Sequence, residues 1–394
     1  MSHTSFMEKL LDGVEVEWKT LEDIADIYGG LKGKSKSDFE NGNAKYISYK
    51  NIFNNIEINF DNLDSVKVSS SENQHAIKYG DVLFTGSSET ANEAGMSSSV
   101  TAQFDKKLYL NSFSFGVRFN KDINITPDFS KYLFRSHFMR KEIAKTASGV
   151  TRFNISKARF KKIEVPIPPL HIQTEIVRIL DTFTELTTEL TTELTAELRA
   201  RKKQYSYYRD KLLSFEEGEV EWKCLGEVVV IKNGKDWKKL GNGKIPIYGS
   251  GGVMGFVDKP SYEKVSVLIP RKGTITNIFY TEEPFWNVDT IFYTEIDEEQ
   301  ILPKYFYHFM SNYDLVSLST DSTRPSLTQT ILKKILVPIP TLNEQTRIVT
   351  ILDKFDTLTN SISEGLPKEI KLRQQQYEYY RELLLSFPKK EVEA

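Results

Sequence analysis

The chain repeats itself, and this internal repeat constrains its fold more than any other feature of the 394-residue sequence. Three motifs occur twice in the same order: VEVEWKTLEDI (14–24) and GEVEWKCLGEV (218–228), KKIEVPIPPLHIQTEIVRILDTF (161–183) and KKILVPIPTLNEQTRIVTILDKF (333–355), and KKQYSYYRDKLLSF (202–215) and RQQQYEYYRELLLSF (373–387). The first two motifs lie further apart in the first copy than in the second. The repeat predicts two similar halves related by a pseudo-two-fold axis.

The segment from the second motif to the third has the same length in both copies and indicates a long helix. Alternating steps of three and four residues are typical of a coiled-coil seam, and one extra four-residue step is a stutter. The seam residues are Ile176, Leu180, Phe183, Thr187, Leu190, Leu194, Leu198, Arg201, Tyr205, Tyr208, Leu212 and Phe215 in the first copy, and Ile348, Leu352, Phe355, Thr359, Ile362, Leu366, Ile370, Arg373, Tyr377, Tyr380, Leu384 and Phe387 in the second. Gly365 and Pro367 are predicted to kink or interrupt the second helix.

Two arrangements of these helices remain open. Each could be an amphipathic helix packed on its own domain, or the two could pair antiparallel. A seam of roughly 40 residues is about 60 Å long at 1.5 Å per residue, which exceeds the needs of one ordinary domain. Pairing is therefore the favoured interpretation. The stretch LTTELTTELTAEL (186–198) lacks Gly and Pro and is rich in good helix formers, so it belongs to a stiff helix rather than a flexible linker.

A globular block precedes each helix and contains β-branched and aromatic runs bounded by turn residues, which indicate strands. These runs are 44–52, 80–86 and 110–119 in the first block and 245–252, 264–270 and 289–296 in the second; helices are expected at 127–145 and 303–318. The predicted fold class is α+β, with two mixed α+β domains joined by two long antiparallel coiled-coil helices. The predicted boundaries are 1–167 for the first domain, 168–215 for the central helix, 216–340 for the second domain and 341–394 for the C-terminal helix and tail.

Several classes of function have no sequence support. No apolar run reaches the roughly 18 residues of a membrane span, and the first residues lack the apolar stretch of a signal peptide. The single cysteine, Cys224, excludes an internal disulfide framework and fits a reducing cytoplasm. The five histidines lack the spacing of metal ligands, and no P-loop, G-x-S-x-G or N-P-P-Y/F element is present. We therefore expect a non-enzymatic chain that holds neither metal nor cofactor.

Basic, glycine-punctuated loops carry the signal for binding. The net charge is only −2, so any nucleic-acid contact must be local. Lys and Arg on loops suit phosphates, and Ser, Thr, Asn and Arg among them can contact base edges; the alternative for each lysine is ordinary solvated surface. The candidate DNA-binding residues are Lys32, Lys34, Lys36, Ser87, Thr90, Arg152, Asn154, Lys157, Lys235, Trp237, Lys238, Ser250, Arg271, Lys272, Thr274 and Arg324.

The paired EW and VPIP motifs, the helix EQTRIVTILDKFDTLTNSI, the ending YEYYRELLLSF and the T-x-E-L repeats together resemble one family. It is the specificity subunit of type I restriction–modification systems, and the T-x-E-L repeats resemble its type IC subgroup. The resemblance extends over essentially the whole chain. It is very specific in the helices and weaker in the two globular blocks.

The resemblance implies two target recognition domains that each bind half of a split, asymmetric double-stranded DNA sequence. It also implies antiparallel helices that set the spacer and dock methyltransferase subunits, with two of these per chain expected. S-adenosylmethionine, ATP and Mg²⁺ would then belong to the methyltransferase and restriction subunits. Two alternatives are a coiled-coil scaffold without DNA specificity and a self-sufficient DNA methyltransferase.

Overall fold

The computed structural model describes residues 9–319, 325–361 and 364–388. Its contacts group into two compact units. Unit 1 comprises Met1–Thr191 and Leu372–Ala394, and unit 2 comprises Thr192–Lys371. Each unit therefore contains one globular block and parts of both long helical segments.

The first copy of the repeat begins with a strand and ends in a long helix. In chain order its elements are β1 (Glu17–Thr20), α1 (Leu21–Ile24), β2 (Ala25–Gly29), β3 (Ala44–Ile47), α2 (Tyr49–Asn54), β4 (Asp64–Val66), β5 (Val82–Thr85), β6 (Ser87–Ser88), β7 (Ser97–Ser99), β8 (Leu108–Leu110), β9 (Ser114–Phe119), α3 (Pro127–Leu133), α4 (His137–Lys145), β10 (Ala147–Ser148), β11 (Phe153–Ile155), α5 (Lys157–Phe160), β12 (Glu164–Ile167) and the long α6 (Leu170–Leu212). A 3-10 turn, Lys36–Phe39, lies between β2 and β3.

The second copy follows the same order with fewer elements. Those described are β13 (Glu221–Cys224), α7 (Leu225–Val228), β14 (Val229–Asn233), β15 (Ile245–Gly249), β16 (Gly252–Val257), β17 (Ser266–Pro270), β18 (Phe279–Thr281), β19 (Trp286–Asn287), β20 (Ile291–Ile296), α8 (Pro303–Asn312), α9 (Gln329–Leu332), β21 (Leu336–Ile339), α10 (Leu342–Asn360) and α11 (Gly365–Leu384). The content is mixed α+β, as predicted.

The internal repeat is present in the sheets as well as in the sequence. The antiparallel sheet β2-β9-β5-β7 of unit 1 corresponds to β14-β20-β17-β18 of unit 2, and β4-β3-β8 corresponds to β16-β15-β19. Each of these two corresponding three-stranded sheets contains one parallel pair, β3 with β8 and β15 with β19. The EW and VPIP motifs pair antiparallel in both copies, with Trp18 opposite Pro166 and Trp222 opposite Pro338. Unit 1 adds a small sheet, β10-β11-β6, to this common plan.

Each hydrophobic core includes residues from the end of a third motif, the sequence LLSF at 212–215 or 384–387, which we call the LSF ending. In unit 1, Phe84, Phe115 and Phe160 contact one another with ring centroids 5.0–5.4 Å apart, and Leu384 and Phe387 belong to the same core. The core of unit 2 is formed around buried residues of α8, β17 and β20 and includes the corresponding ending, Leu212, Leu213 and Phe215. The first block therefore packs on the ending of the second copy, and the second block on the ending of the first.

The long helices contact each other in the same way within each unit. In unit 1, Phe183 stacks on Tyr380 with centroids 5.4 Å apart, and the hydroxyls of Thr184 and Tyr377 lie 3.0 Å apart. In unit 2, Phe355 stacks on Tyr208 at 5.7 Å. Both contacts join a phenylalanine of the second motif to a tyrosine of the third motif. In unit 1 the phenylalanine comes from the first copy and the tyrosine from the second, and in unit 2 the reverse holds. In unit 1 the residue number rises along α6 as it falls along α11, so the two segments run antiparallel there.

Most predicted elements are confirmed, with corrected boundaries. The T-x-E-L stretch lies inside the uninterrupted α6. The predicted helix 127–145 is two helices, because Ser136 caps a new one by accepting a hydrogen bond from the backbone N–H of Met139. The predicted helix 303–318 ends at Asn312. The predicted strand 44–52 is a strand only to Ile47, after which α2 begins.

The predicted break in the C-terminal helix is confirmed. α10 ends at Asn360 and α11 begins at Gly365, whose φ of +74° suits glycine and disfavours other residues. Pro367 lies in the first turn of α11, where the missing N–H costs nothing, so the break lies before it. The seam residue Ile362 falls outside the described residues.

A buried glutamine joins each globular block to its long helix. Gln173 and Gln345 are fully buried and occupy equivalent positions in the repeat. The Gln173 carboxamide accepts from the N–H of Thr126 at 2.9 Å and donates to the carbonyls of Asn124 and Pro168 at 2.6 and 2.7 Å. The Gln345 carboxamide repeats all three bonds, with Leu302, Gln300 and Pro340 as its partners. We call each of these side chains a glutamine clamp.

Replacing either clamp by methionine, Gln173→Met or Gln345→Met, should destabilise the protein by at least about 3 kcal/mol. Methionine fills the same space but leaves an N–H and buried carbonyl groups without partners, at about 1–3 kcal/mol for each unsatisfied group. Calorimetric unfolding of the full chain measures the effect. The exposed Gln374→Met on α11 is the control, and it should change stability by less than about 0.5 kcal/mol. Equal stability of the clamp variants and the control would contradict this account of the clamps.

Candidate nucleic-acid interface

Three of the predicted DNA-binding residues of unit 1 meet where the chain leaves the central strand β5. Ser87 lies in β6, and β6 pairs with β11 so that Ser87 is opposite Asn154. The Nε of Arg152 donates to the Ser87 Oγ at 3.0 Å. Two segments that are far apart in the sequence are thus joined at one edge of the fold.

A cleft of about 530 Å³ lies beside this junction, and it includes side chains that the sequence did not indicate. Its lining residues are Tyr49, Phe53, Ser87, Ser88, Glu89, Glu93, Thr151 and Arg152. The rings of Tyr49 and Phe53 stack with centroids 5.8 Å apart, and the Tyr49 hydroxyl donates to the Ser87 carbonyl at 2.9 Å. The predicted residue Thr90 donates through its hydroxyl to Glu93 Oε2 at 2.9 Å. A search for basic residues on loops does not find Glu89 and Glu93. They nevertheless lie in the same segment, SSETANEAG, as Ser87 and Thr90.

Unit 2 has a loop at the corresponding place, the end of β17. Lys272 in this loop pairs with Ser326. Ser326 stands as far before the second VPIP motif as Asn154 stands before the first, so the two match in the repeat. Ser250 comes close to the same loop, since its Oγ lies 3.2 Å from the point where a Cβ would stand on Gly273.

Some of the predicted residues of unit 2 therefore lie together at this loop. Those within the described residues are Ser250, Arg271, Lys272 and Thr274. Arg324, which matches Arg152 in the repeat, lies outside the described residues.

In each unit, a cationic side chain lies over a phenylalanine ring of the four-stranded sheet, and the two phenylalanines occupy equivalent positions. The Lys157 Nζ is 5.6 Å from the ring centroid of Phe115, and the Arg271 guanidinium is 5.5 Å from that of Phe292. The two rings are equivalent, because each pairs with the central strand of its sheet, β5 or β17. The Nε of Arg271 is buried and has no hydrogen-bond partner within the described ranges. Both cations are held by cation–π contacts at the sheet edge that carries the loops.

The lysines of the loop after β2 differ in their availability. The Lys34 side chain is buried, and its ammonium donates to the Glu72 carboxylate and to the Lys67 carbonyl at 2.7 and 2.6 Å. Hydrogen bonding to Lys34 is the main reason that the pKa of Glu72 falls to about 2. Lys34 therefore holds this loop to the domain through its bonds to Glu72 and Lys67. Lys32 and Lys36 are exposed.

The loop after β14 shows a similar division. Trp237 is half-buried and packs on the small core of Ile247, Val257 and Val288. Lys235 and Lys238 are exposed on either side of it. The backbone of Lys235 is fixed by bonds from its N–H to the Asn287 carbonyl and from the Trp286 indole to its own carbonyl. Trp237 anchors the loop on this core, and Lys235 and Lys238 face solvent.

Two other kinds of site have no counterpart among the described residues. No group of three or more His, Cys, Asp or Glu side chains is placed to hold a metal ion in this part of the chain. None of the helices in the described ranges combines the length and the apolar character that a bilayer span requires.

Comparison with known proteins gives a consistent result. The model of the type I restriction modification DNA specificity domain matches residues 13–200 and again 217–372. A putative type I restriction enzyme specificity subunit of Haemophilus influenzae is 35% identical, over 98% of this chain and 99% of that protein. The EcoR124I/EcoR124II specificity subunit of Escherichia coli is also 35% identical, over 100% of this chain and 99% of that protein.

Solved structures agree at the level of the fold. A chain from a structural study of complex assembly and conformational transition in the type I restriction–modification system aligns with a TM-score of 0.69 at 15% identity, covering 94% of this chain and 98% of that one. The HsdS subunit from Thermoanaerobacter tengcongensis aligns with a TM-score of 0.57 at 15% identity, covering 94% of this chain and 95% of that one. The repeated family match and the full-length relatives place this chain in the family of type I restriction–modification DNA specificity subunits.

Proposed function

We propose that this chain gives a type I restriction–modification complex its DNA sequence specificity, with each unit contacting one half of a split, asymmetric target in the major groove. The observation that carries the proposal is the loop at the end of the central strand, β5 or β17. It occupies the same place in both units but presents different side chains: Ser87, with Arg152 hydrogen-bonded to it, in one, and Arg271 and Lys272 in the other. One scaffold with two sets of polar side chains is what two different half-sites require.

The proposed contacts fall into two groups. Exposed lysines suit phosphates, whereas the clustered hydroxyl, amide and guanidinium groups suit base edges. The proposed phosphate contacts are Lys32, Lys36, Lys157, Lys235, Lys238 and Lys272, and the proposed base contacts are Ser87, Thr90, Arg152, Asn154, Ser250, Arg271, Thr274 and Arg324. Lys34 and Trp237 are assigned to support of their loops.

We further propose that the helices form one antiparallel coiled coil that separates two target recognition domains, with the boundaries 1–167, 168–215, 216–340 and 341–394. The exchanged stacking pairs, Phe183 with Tyr380 and Phe355 with Tyr208, support this arrangement. The completion of each core by the ending of the other copy supports it too.

The helices also offer a docking surface for methyltransferase subunits. Adjacent tyrosines recur in the third motif with the same edge-to-face geometry, Tyr207 with Tyr208 and Tyr379 with Tyr380, each pair with centroids 5.4 Å apart. Tyr207 and Tyr379 are 62% and 50% exposed, which is unusual for large rings at a repeated position. Two copies of one surface fit two copies of one partner, so we propose two methyltransferase subunits per chain. S-adenosylmethionine, ATP, Mg²⁺ and every catalytic group are assigned to these and to the restriction subunits.

Replacing Lys272 by alanine should weaken DNA binding for all sequences and reduce the slope of log affinity against log salt by about 1, as expected for one lost phosphate contact. The measurement is a salt titration of DNA binding by the complex with its methyltransferase subunits. Lys264→Ala is the control, because Lys264 is exposed and precedes β17 at the end opposite the loop. An unchanged slope for Lys272→Ala would remove this loop from the interface.

The T-x-E-L repeats are proposed to set the distance and angle between the half-sites. Four helical residues add about 6 Å of rise and a net turn of about 40°. One base pair of B-DNA advances about 3.4 Å and turns by about 34–36°. The turn of four helical residues matches the turn of one base pair, whereas the rise does not. We expect the turn to determine the spacer length, because a recognition loop turned away from its groove makes no base contacts. Small tilts of the domains absorb the remaining difference in length, roughly 2–3 Å.

The structure of α6 makes loss of one repeat unit tolerable. Leu190 and Leu194 are half-buried at equivalent steps, and the Thr191 hydroxyl bonds back to the Thr187 carbonyl at 2.7 Å within the helix. Deleting residues 191–194 should therefore preserve the helix and shorten the undefined spacer of the target by one base pair. Sequencing N6-methyladenine in the genome of the deletion strain measures it. An unaltered spacer, or a changed half-site, would contradict this role of the repeats.

A further inference from the structure

Glu93 stands out in the cleft of unit 1, because a carboxylate is the least expected group at a DNA-binding face. It lines the cleft together with Arg152 and Glu89. DNA carries one negative charge per roughly 1.7 Å of helix axis, so a glutamate at this place weakens binding to every sequence. Such a group is compatible with the proposed function only if a particular base offsets its cost.

Among the described residues, the neighbours of the Glu93 carboxylate hold it in place through one oxygen, Oε2. The hydroxyls of Ser88 and Thr90 both donate to Oε2, at 3.3 and 2.9 Å. The backbone N–H of Glu93 in turn donates to the Thr90 hydroxyl at 3.3 Å. Within the described residues, no donor reaches Oε1. The carboxylate is therefore oriented in advance and keeps one acceptor for a ligand in the cleft.

Arg152 has the complementary arrangement. Its Nε donates to the Ser87 Oγ at 3.0 Å, and its side chain lies against the ring of Phe113 with the guanidinium carbon 6.0 Å from the centroid. Its two terminal nitrogens donate to no acceptor in the described part of the chain. Ser87 and Ser88 are adjacent, so the serine pair holds the guanidinium fork and the carboxylate in the same cleft.

From this geometry we infer that Glu93 is a base-reading residue of unit 1, accepting a hydrogen bond from the exocyclic amino group of a base, N4 of cytosine or N6 of adenine. This rests on the proposed function. In the major groove only cytosine and adenine offer such donors, and thymine and guanine present oxygens that a carboxylate repels. Arginine is the usual partner of guanine O6 and N7, so the cleft complements the edge of a guanine–cytosine pair, with an adenine at the Glu93 position as the second source of the same donor.

The test is the methylated sequence produced by the complete complex carrying Glu93→Gln or Glu93→Ala. Glutamine keeps the size of the side chain but can also donate, so thymine or guanine should become tolerated at one position of one half-site. Alanine should lower discrimination at that position on the order of tenfold, the usual value of a good base contact. The base found there in the wild-type target, cytosine or adenine, identifies which amino group is bound.

The second half-site serves as an internal control, because unit 2 is unaltered and its motif must persist. Glu22→Gln, an exposed glutamate of unit 1 away from the cleft, should leave both half-sites unchanged. If Glu93→Gln and Glu93→Ala methylate the wild-type target with unchanged preference, the inference is overturned. If Lys272→Ala still flattens the salt dependence in that case, the proposed function stands and only the role of Glu93 fails.

Discussion

Two buried glutamines hold the globular blocks to the helices on which the rest of the architecture depends. Each carboxamide satisfies three backbone groups from two segments, the strand end that precedes the long helix and the loop that precedes a domain helix. Both glutamines are shielded from solvent, so water cannot readily replace a lost bond. A block fixed in this way cannot turn independently of the helix that carries its glutamine.

The second constraint is the exchange of endings between the two copies. Unit 1 buries Leu384 and Phe387 from the second copy, and unit 2 buries Leu213 and packs Phe215 from the first. Neither copy of the repeat therefore contains all of the residues that close its own core. The VPIP-to-LSF segments, 165–215 and 337–387, have the same length. The blocks between the EW and VPIP motifs, 19–164 and 223–336, differ in length.

The sequence is informative where physical periodicity or repetition is strong. The repeat, the uninterrupted α6 and the break before Gly365 all follow from seam spacing and from the backbone chemistry of glycine and proline. The clustering of Ser87 with Asn154 cannot be predicted, because it depends on a long-range pairing between β6 and β11.

Charge on its own does not show how a side chain is engaged in the folded protein. The sequence predicts Lys34 as a DNA contact, since a lysine on a basic loop looks the same whether or not a distant Glu72 neutralises it. The sequence gives no reason to select Glu93, because charge argues against it. Only the hydroxyls that orient its carboxylate in the cleft mark it as a candidate.

We propose that two independent reading units share one spacer. To test this arrangement, residues 19–160 are exchanged for the corresponding block of another specificity subunit, and N6-methyladenine is sequenced across the genome of the resulting strain. The exchange keeps Gln173, the LSF endings and both long helices, so the clamps and cores can form. The expected result is a new sequence at one half-site, with the other half-site and the spacer length unchanged. A change in both half-sites would contradict it.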